Sequence, residues 1–166
     1  IAPAANVHPQ VDALADAIAH QAVAALDYVG LLAIECFEVM TANGPTLVIN
    51  EMAPRVHNSG HWSIEGSVTS QFEQHLRAIL DLPLGDTSMS ADFAVMGNVL
   101  GGTKTNMYRP YLHLFARTPY LKVHQYRKEV KAGRKVGHVT AIGNNLATLQ
   151  SEVSHAVDYM NGVIDE

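Results

Sequence analysis

From Val11 to Leu26 the apolar residues Val11, Leu14, Ala15, Ile18, Ala22, Ala25 and Leu26 return every three or four positions, the spacing of one helical face. Pro9 suits a first helical turn, whose N–H groups have no intrahelical partner. The pattern predicts an amphipathic helix. Tyr28 to Met40 and Thr46 to Met52 are instead rich in apolar and β-favouring residues on either side of Asn43-Gly44-Pro45, which predicts a β-hairpin. Between Pro54 and Gly66 neither period survives, and the Pro, Asn, Ser, Gly and His there predict an ordered loop. Ser70 and Glu73 form a capping box for a helix carrying Phe72, Leu76 and Ile79, and Leu82-Pro83-Leu84-Gly85 ends it.

The polar passage Asp86 to Asp92 is the best internal boundary and divides the chain into residues 1–85 and 86–166. Beyond it Phe93–Leu100, Leu121–Tyr126 and Lys135–Ile142 are expected as short strands, with turns at Gly101-Gly102 and Ala132-Gly133. A last helix from Leu146 to Met160 presents Leu146, Leu149, Val153, Val157 and Met160 on one face. Leu112, Leu114 and Phe115 suit a subunit contact as well as a core. The order of elements is α+β, without repeats.

Composition narrows the class. With 166 residues, 48% hydrophobic and 16% charged, the chain has the balance of a globular domain, and no apolar run is long enough to cross a bilayer. The net charge of −5 argues against a general nucleic-acid binder. Yet Arg127, Lys128, Lys131, Arg134 and Lys135, five of the eleven cations, fall within nine positions. Cys36 is the only cysteine, which excludes an intrachain disulfide and suits a reducing, cytoplasmic setting. The start at Ile-Ala-Pro-Ala, without an initiator Met, reads as that of a fragment of a longer polypeptide.

Glu35 and Glu51 each stand in an apolar strand, where a carboxylate is costly unless a cation meets it. Two carboxylates on neighbouring strands can bracket a hard cation such as Mg²⁺, leaving its other positions for phosphate or water. Alternatively each is solvated or pairs with Arg55. Pro54-Arg55-Val56-His57-Asn58-Ser59-Gly60-His61 then gathers a guanidinium, two imidazoles, an amide and a hydroxyl, donors suited to bicarbonate or phosphate. His75, His113, His124 and His155 lack such company and are expected to be structural.

Glu35-Cys36-Phe37, the run from Ile49 to Trp62, Ser70 to Ala78 and Lys128 to His138 together resemble 5-(carboxyamino)imidazole ribonucleotide synthase, a family of the ATP-grasp superfamily. The resemblance covers nearly the whole chain and implies the carboxy-terminal half of an ATP-grasp lobe followed by a small strand-rich domain closed by the last helix. It implies a ligase that uses ATP and Mg²⁺ to carboxylate 5-aminoimidazole ribonucleotide with bicarbonate, through carboxyphosphate, in purine biosynthesis. On that likeness Glu35 and Glu51 hold magnesium, and Asn50 and Glu51 lie near the nucleotide. Arg55, His57, Asn58 and Ser59 surround bicarbonate and the reacting amine, while Lys128, Arg134 and Lys135 hold the ribonucleotide phosphate. Family members commonly form homodimers.

Two departures stand out. Where the wider superfamily often has a metal-binding Asn two residues after the second Glu, this chain has Ala53, and the turn between Glu35 and Glu51, through Met40 to Pro45, is longer than is usual for the family. The family's amino-terminal domain and central adenine-clasping lobe do not precede Ile1, so the chain alone is expected to be catalytically silent. The rival readings are a formate-using glycinamide ribonucleotide transformylase, which has a similar Pro-Arg loop, and a non-catalytic assembly module.

Overall fold

The computed structural model describes residues 1–102, 106 and 108–165. Packing divides the chain into a first unit, residues 4–88, and a second, residues 1–3 with 89–166.

The first unit opens with α1 (Pro9–Leu26), whose start is capped by the His8 ring accepting the Gln10 N–H. The helix faces an antiparallel hairpin, β1 (Ala33–Thr41) and β2 (Gly44–Ala53). Ala15, Ile18 and Val23 of the helix and Ile34 and Cys36 of β1 enclose a cavity of about 170 Å³. The strands run to Thr41 and resume at Gly44, so most of Met40 to Pro45 is paired strand and the connection itself is a tight turn. Gly44 sits at φ +105°, a backbone state that side chains disfavour. The first strand also starts later than expected. At Tyr28 to Leu32 the chain bends through Gly30, at φ +136°, while Leu31 donates its N–H to His75 Nδ1 at 3.0 Å, not to a strand.

The loop after the hairpin contains a 3-10 turn, Asn58–Gly60, and a single helical turn, α2 (Ser63–Gly66). Helix α3 (Gln71–Ile79) begins at the expected cap, Ser70 accepting the Glu73 N–H, and Arg77 pairs with Glu73 one turn along.

The second unit is a three-stranded antiparallel sheet in the order β3 (Phe93–Leu100), β5 (Lys135–Gly143), β4 (Lys122–Gln125). Helix α5 (Leu146–Asn161) packs on β3 and β5. Gly97 permits the close approach, since a Cβ there would lie 2.5 Å from Val157 and 2.8 Å from Val153. Asn145 caps the start of α5, and Gly162, at φ +75°, ends it with Val163 N–H donating back to the Asp158 carbonyl. A helix absent from the sequence expectation, α4 (Tyr108–Arg117), lies beside α5. It corrects the ambiguous reading of Leu112, Leu114 and Phe115: Leu114 is core at 1% exposure, and the other two are open.

The units differ in how they are held. Val95, Val99, Leu114, Val139, Leu149 and Val153 belong to one buried cluster, all of it in the second unit. In the first unit the buried apolar side chains are Val11, Pro45 and Ala53, while Phe37, Met40, Val48 and Leu76 are open. Apolar burial is the dominant favourable term in folding, so the second unit carries most of its own stability. No helix among the described residues is long and apolar enough to cross a membrane.

Candidate functional site

The hairpin brings the two carboxylates together by means of an irregularity. Phe37 pairs with Val48 and Cys36 with Ile49, but the register then shifts so that Glu35 pairs with Glu51. Asn50 is the extra residue. Strict alternation from Val48 would send Glu51 to the opposite face; the bulge returns it to the face that carries Glu35 and Phe37.

Between the two carboxylates stands the His57 ring, with Nδ1 3.6 Å from Glu35 and Nε2 3.3 Å from Glu51. Donor atoms of all three residues lie within 4.8 Å of one another. The His57 Nδ1 also meets the Ser59 hydroxyl at 2.9 Å and accepts the Ser59 N–H at 3.3 Å, so the same ring caps the 3-10 turn.

Buried Gln71 holds this loop. Its Oε1 accepts the His57 N–H at 3.0 Å, and its Nε2 donates to the His57 carbonyl at 2.8 Å and to His61 Nδ1 at 2.7 Å. Its own N–H donates to Ser63 Oγ at 2.9 Å, and that hydroxyl donates to the Gly60 carbonyl at 2.6 Å. A side chain at Gly60 would come within 2.5 Å of Gln71 Oε1, so the close approach requires glycine. Asn58 directs a buried Oδ1 that meets no donor among the described residues. Arg55 is exposed, and its Nη1 donates to the Val56 carbonyl at 3.0 Å. It makes no ion pair with either glutamate among the described residues; the His57 ring lies beside both instead. A pocket of about 320 Å³ opens beside His57, lined by Leu31, Trp62, Ser67, Thr69 and Gln74 among others.

The basic cluster lies in the second unit. Lys128 and Lys135 each place Nζ 5.5 Å from the centre of the Tyr126 ring, and Lys131 is engaged by Glu129 at 3.0 Å. Partial burial, and secondarily the charge of Lys128, hold the Lys135 ammonium below its ordinary pKa. The loop is tied at its end, where Gly101 donates to the Arg134 carbonyl at 2.7 Å and accepts from Gly133 at 3.0 Å.

Residues 1–72 match the ATP-grasp domain, and residues 94–152 match the phosphoribosylaminoimidazole carboxylase C-terminal domain. The N5-carboxyaminoimidazole ribonucleotide synthase of Mycobacterium tuberculosis H37Rv is 44% identical over 164 residues, which is 97% of this chain and 38% of that protein. The chain belongs to this synthase family. The crystal structure of the synthetase from Thermus thermophilus superposes with a TM-score of 0.79 at 42% identity, over 96% of this chain and 41% of that one. The Aspergillus clavatus synthase in complex with ADP and 5-aminoimidazole ribonucleotide gives a TM-score of 0.81 at 33% identity, over 96% and 43%. The chain thus spans about two fifths of the length of these synthases.

Within this synthase family member, two carboxylates and an imidazole form a donor set that suits a divalent cation, with the oxygens providing the hard ligands that Mg²⁺ prefers. Ala53 is buried opposite Ala33 and offers no ligand atom, and the third donor beside the glutamates is His57. Two residues escaped sequence reasoning. Gln71 stands just inside a helix cap, a position that reads as solvated, and Tyr126 follows a short strand of mixed polarity. The local pattern marks neither as an organiser, although Gln71 lies within one of the motifs and Tyr126 two residues before another.

Proposed function

We propose that this chain is part of an ATP-dependent carbon–nitrogen ligase that carboxylates 5-aminoimidazole ribonucleotide with bicarbonate through carboxyphosphate. The observation that carries the reading is the Glu35, Glu51 and His57 constellation, made by a hairpin bulge inside the segment that matches the ATP-grasp domain. Glu35 and Glu51 are the residues to hold magnesium, which when bound neutralises charge on the nucleotide phosphates. Asn50, exposed at the bulge, and Glu51 face the nucleotide in this reading.

Arg55, His57, Asn58 and Ser59 bind and orient bicarbonate and the reacting amine. Arg55 offers a forked donor to an oxyanion. His57, fixed through Gln71, presents a ring nitrogen at a set position, and Asn58 beside it carries a buried Oδ1 acceptor that meets no donor among the described residues. Preset donors need no rearrangement as charge develops, which is the usual source of catalytic stabilisation. Lys128, Arg134 and Lys135 supply positive charge for the ribonucleotide phosphate. The enzyme is read as cytoplasmic and homodimeric, binding neither nucleic acid nor membrane, with exposed Leu112 and Phe115 as the surface for a second copy.

The test is ATP hydrolysis by the full-length protein with Mg²⁺ and bicarbonate, with and without 5-aminoimidazole ribonucleotide, beside Glu51→Gln. Turnover should rise with the ribonucleotide and collapse in the variant. Turnover indifferent to the ribonucleotide would refute the substrate assignment.

A further inference from the structure

Tyr126 holds a position that phosphate binding by lysines alone does not explain. Both Lys128 and Lys135 place Nζ 5.5 Å from its ring centre, and neither meets a carboxylate among the described residues. The phenol oxygen lies 2.6 Å from Nδ1 of His138. That imidazole is 1% exposed on the central strand β5, with its ring stacked 4.5 Å from His124, its partner across the strand pair. A continuous set of contacts therefore runs from the sheet interior through imidazole and phenol to two ammonium groups. No such ring contact is made by Arg134 among the described residues.

Two like charges near one ring repel each other; the Lys135 ammonium is held below its ordinary pKa mainly by partial burial and secondarily by the charge of Lys128. An anion that meets both ammonium groups would offset that repulsion. Lysine is a point charge on a flexible stem, so capture by two lysines ordinarily costs considerable rotamer entropy. A ring that already holds both ammonium groups removes part of that cost before the ligand arrives.

We propose that Tyr126, anchored by His138, is a positioning residue that pre-arranges Lys128 and Lys135 as a two-pronged clamp for a compact dianion, the phosphate of a monoester. The inference rests on the reading of these lysines as ribonucleotide-phosphate ligands and adds the device that organises them.

The experiment is titration of the 166-residue chain with inorganic phosphate at constant ionic strength, followed by NMR of the lysine Cε resonances, for wild type, Tyr126→Leu, Tyr126→Phe and Lys128→Met/Lys135→Met. Tyr126→Leu should weaken phosphate about tenfold and Tyr126→Phe, which keeps the ring but loses the His138 contact, about threefold. Phosphate should also raise the Lys135 pKa in wild type, and this response should shrink in Tyr126→Leu while the melting curve keeps its cooperativity. If Tyr126→Leu does not fold, Tyr126→Phe carries the test, and unchanged affinity there overturns the proposal. Wild-type affinity in Tyr126→Leu overturns the positioning role and leaves the lysine assignment standing. Wild-type affinity in the double lysine variant overturns the lysine assignment itself, and the clamp with it.

Discussion

Glu51→Gln removes one charge from the three-donor group while keeping the size of the side chain. Unit charges 4 Å apart attract by about 1 kcal/mol in water and about 4 kcal/mol at an effective dielectric constant near 20. A divalent cation doubles these figures. The Glu35 and Glu51 side chains are 40% and 49% exposed, which places the site toward the aqueous limit. The expected loss is therefore about 2–3 kcal/mol, or about 30- to 150-fold in affinity. Mn²⁺ is a suitable probe, since electron paramagnetic resonance counts the free ion without any turnover, and the 166-residue chain suffices. Glu38→Gln is the control: Glu38 lies on the same hairpin but alternates away from the Glu35 face, paired with Leu47. It should bind Mn²⁺ within about twofold of wild type. Equal binding by Glu51→Gln would refute the site. An equal loss in Glu38→Gln would show that affinity reflects diffuse acidity rather than this geometry.

Leu114→Ala, at a position 1% exposed in the main cluster, should lower the hydrogen-exchange stability of β5 amides by about 2–4 kcal/mol, whereas Leu76→Ala, at a position 54% exposed, should leave those amides within about 0.5 kcal/mol of wild type. Lys135 titrates below its ordinary value in the folded chain, so between that folded value and 10.5 the unfolded chain binds more proton and the group's contribution to stability rises with pH. Lys135→Gln should remove this part of the rise, seen as a flatter dependence of the denaturation midpoint on pH in that window.

Several parts of this molecule were legible because their causes are local. The Pro9 start of α1, the Ser70 and Glu73 cap of α3 and the apolar face of α5 are decided within one or two helical turns, where side-chain spacing and orphaned N–H groups act directly. The hairpin and the three later strands follow from alternation and turn residues. His75, His113, His124 and His155, expected to be structural, meet the Leu31 N–H, each other, or the His138 ring. Helix α4 was not legible, because its one fully buried leucine, Leu114, sits between exposed apolar neighbours that blur the period.

The sequence by itself determined the inventory of the candidate site: two glutamates on adjoining strands, a donor-rich loop after them and a basic turn far along the chain. Tertiary structure decided how these residues meet. Whether Glu35 and Glu51 share a face depends on a register shift at Asn50, which is a property of the pairing between strands and not of either strand alone. That His57 stands between them depends on Gln71, fourteen residues away, supplying both a donor and an acceptor to its backbone. Lys128 and Lys135 both approach the ring of Tyr126, whose phenol oxygen is held by His138 on the central strand. The first two of these arrangements join residues sixteen and fourteen positions apart, and the third depends on an anchor on another strand, so spacing along the sequence does not fix the distances in space.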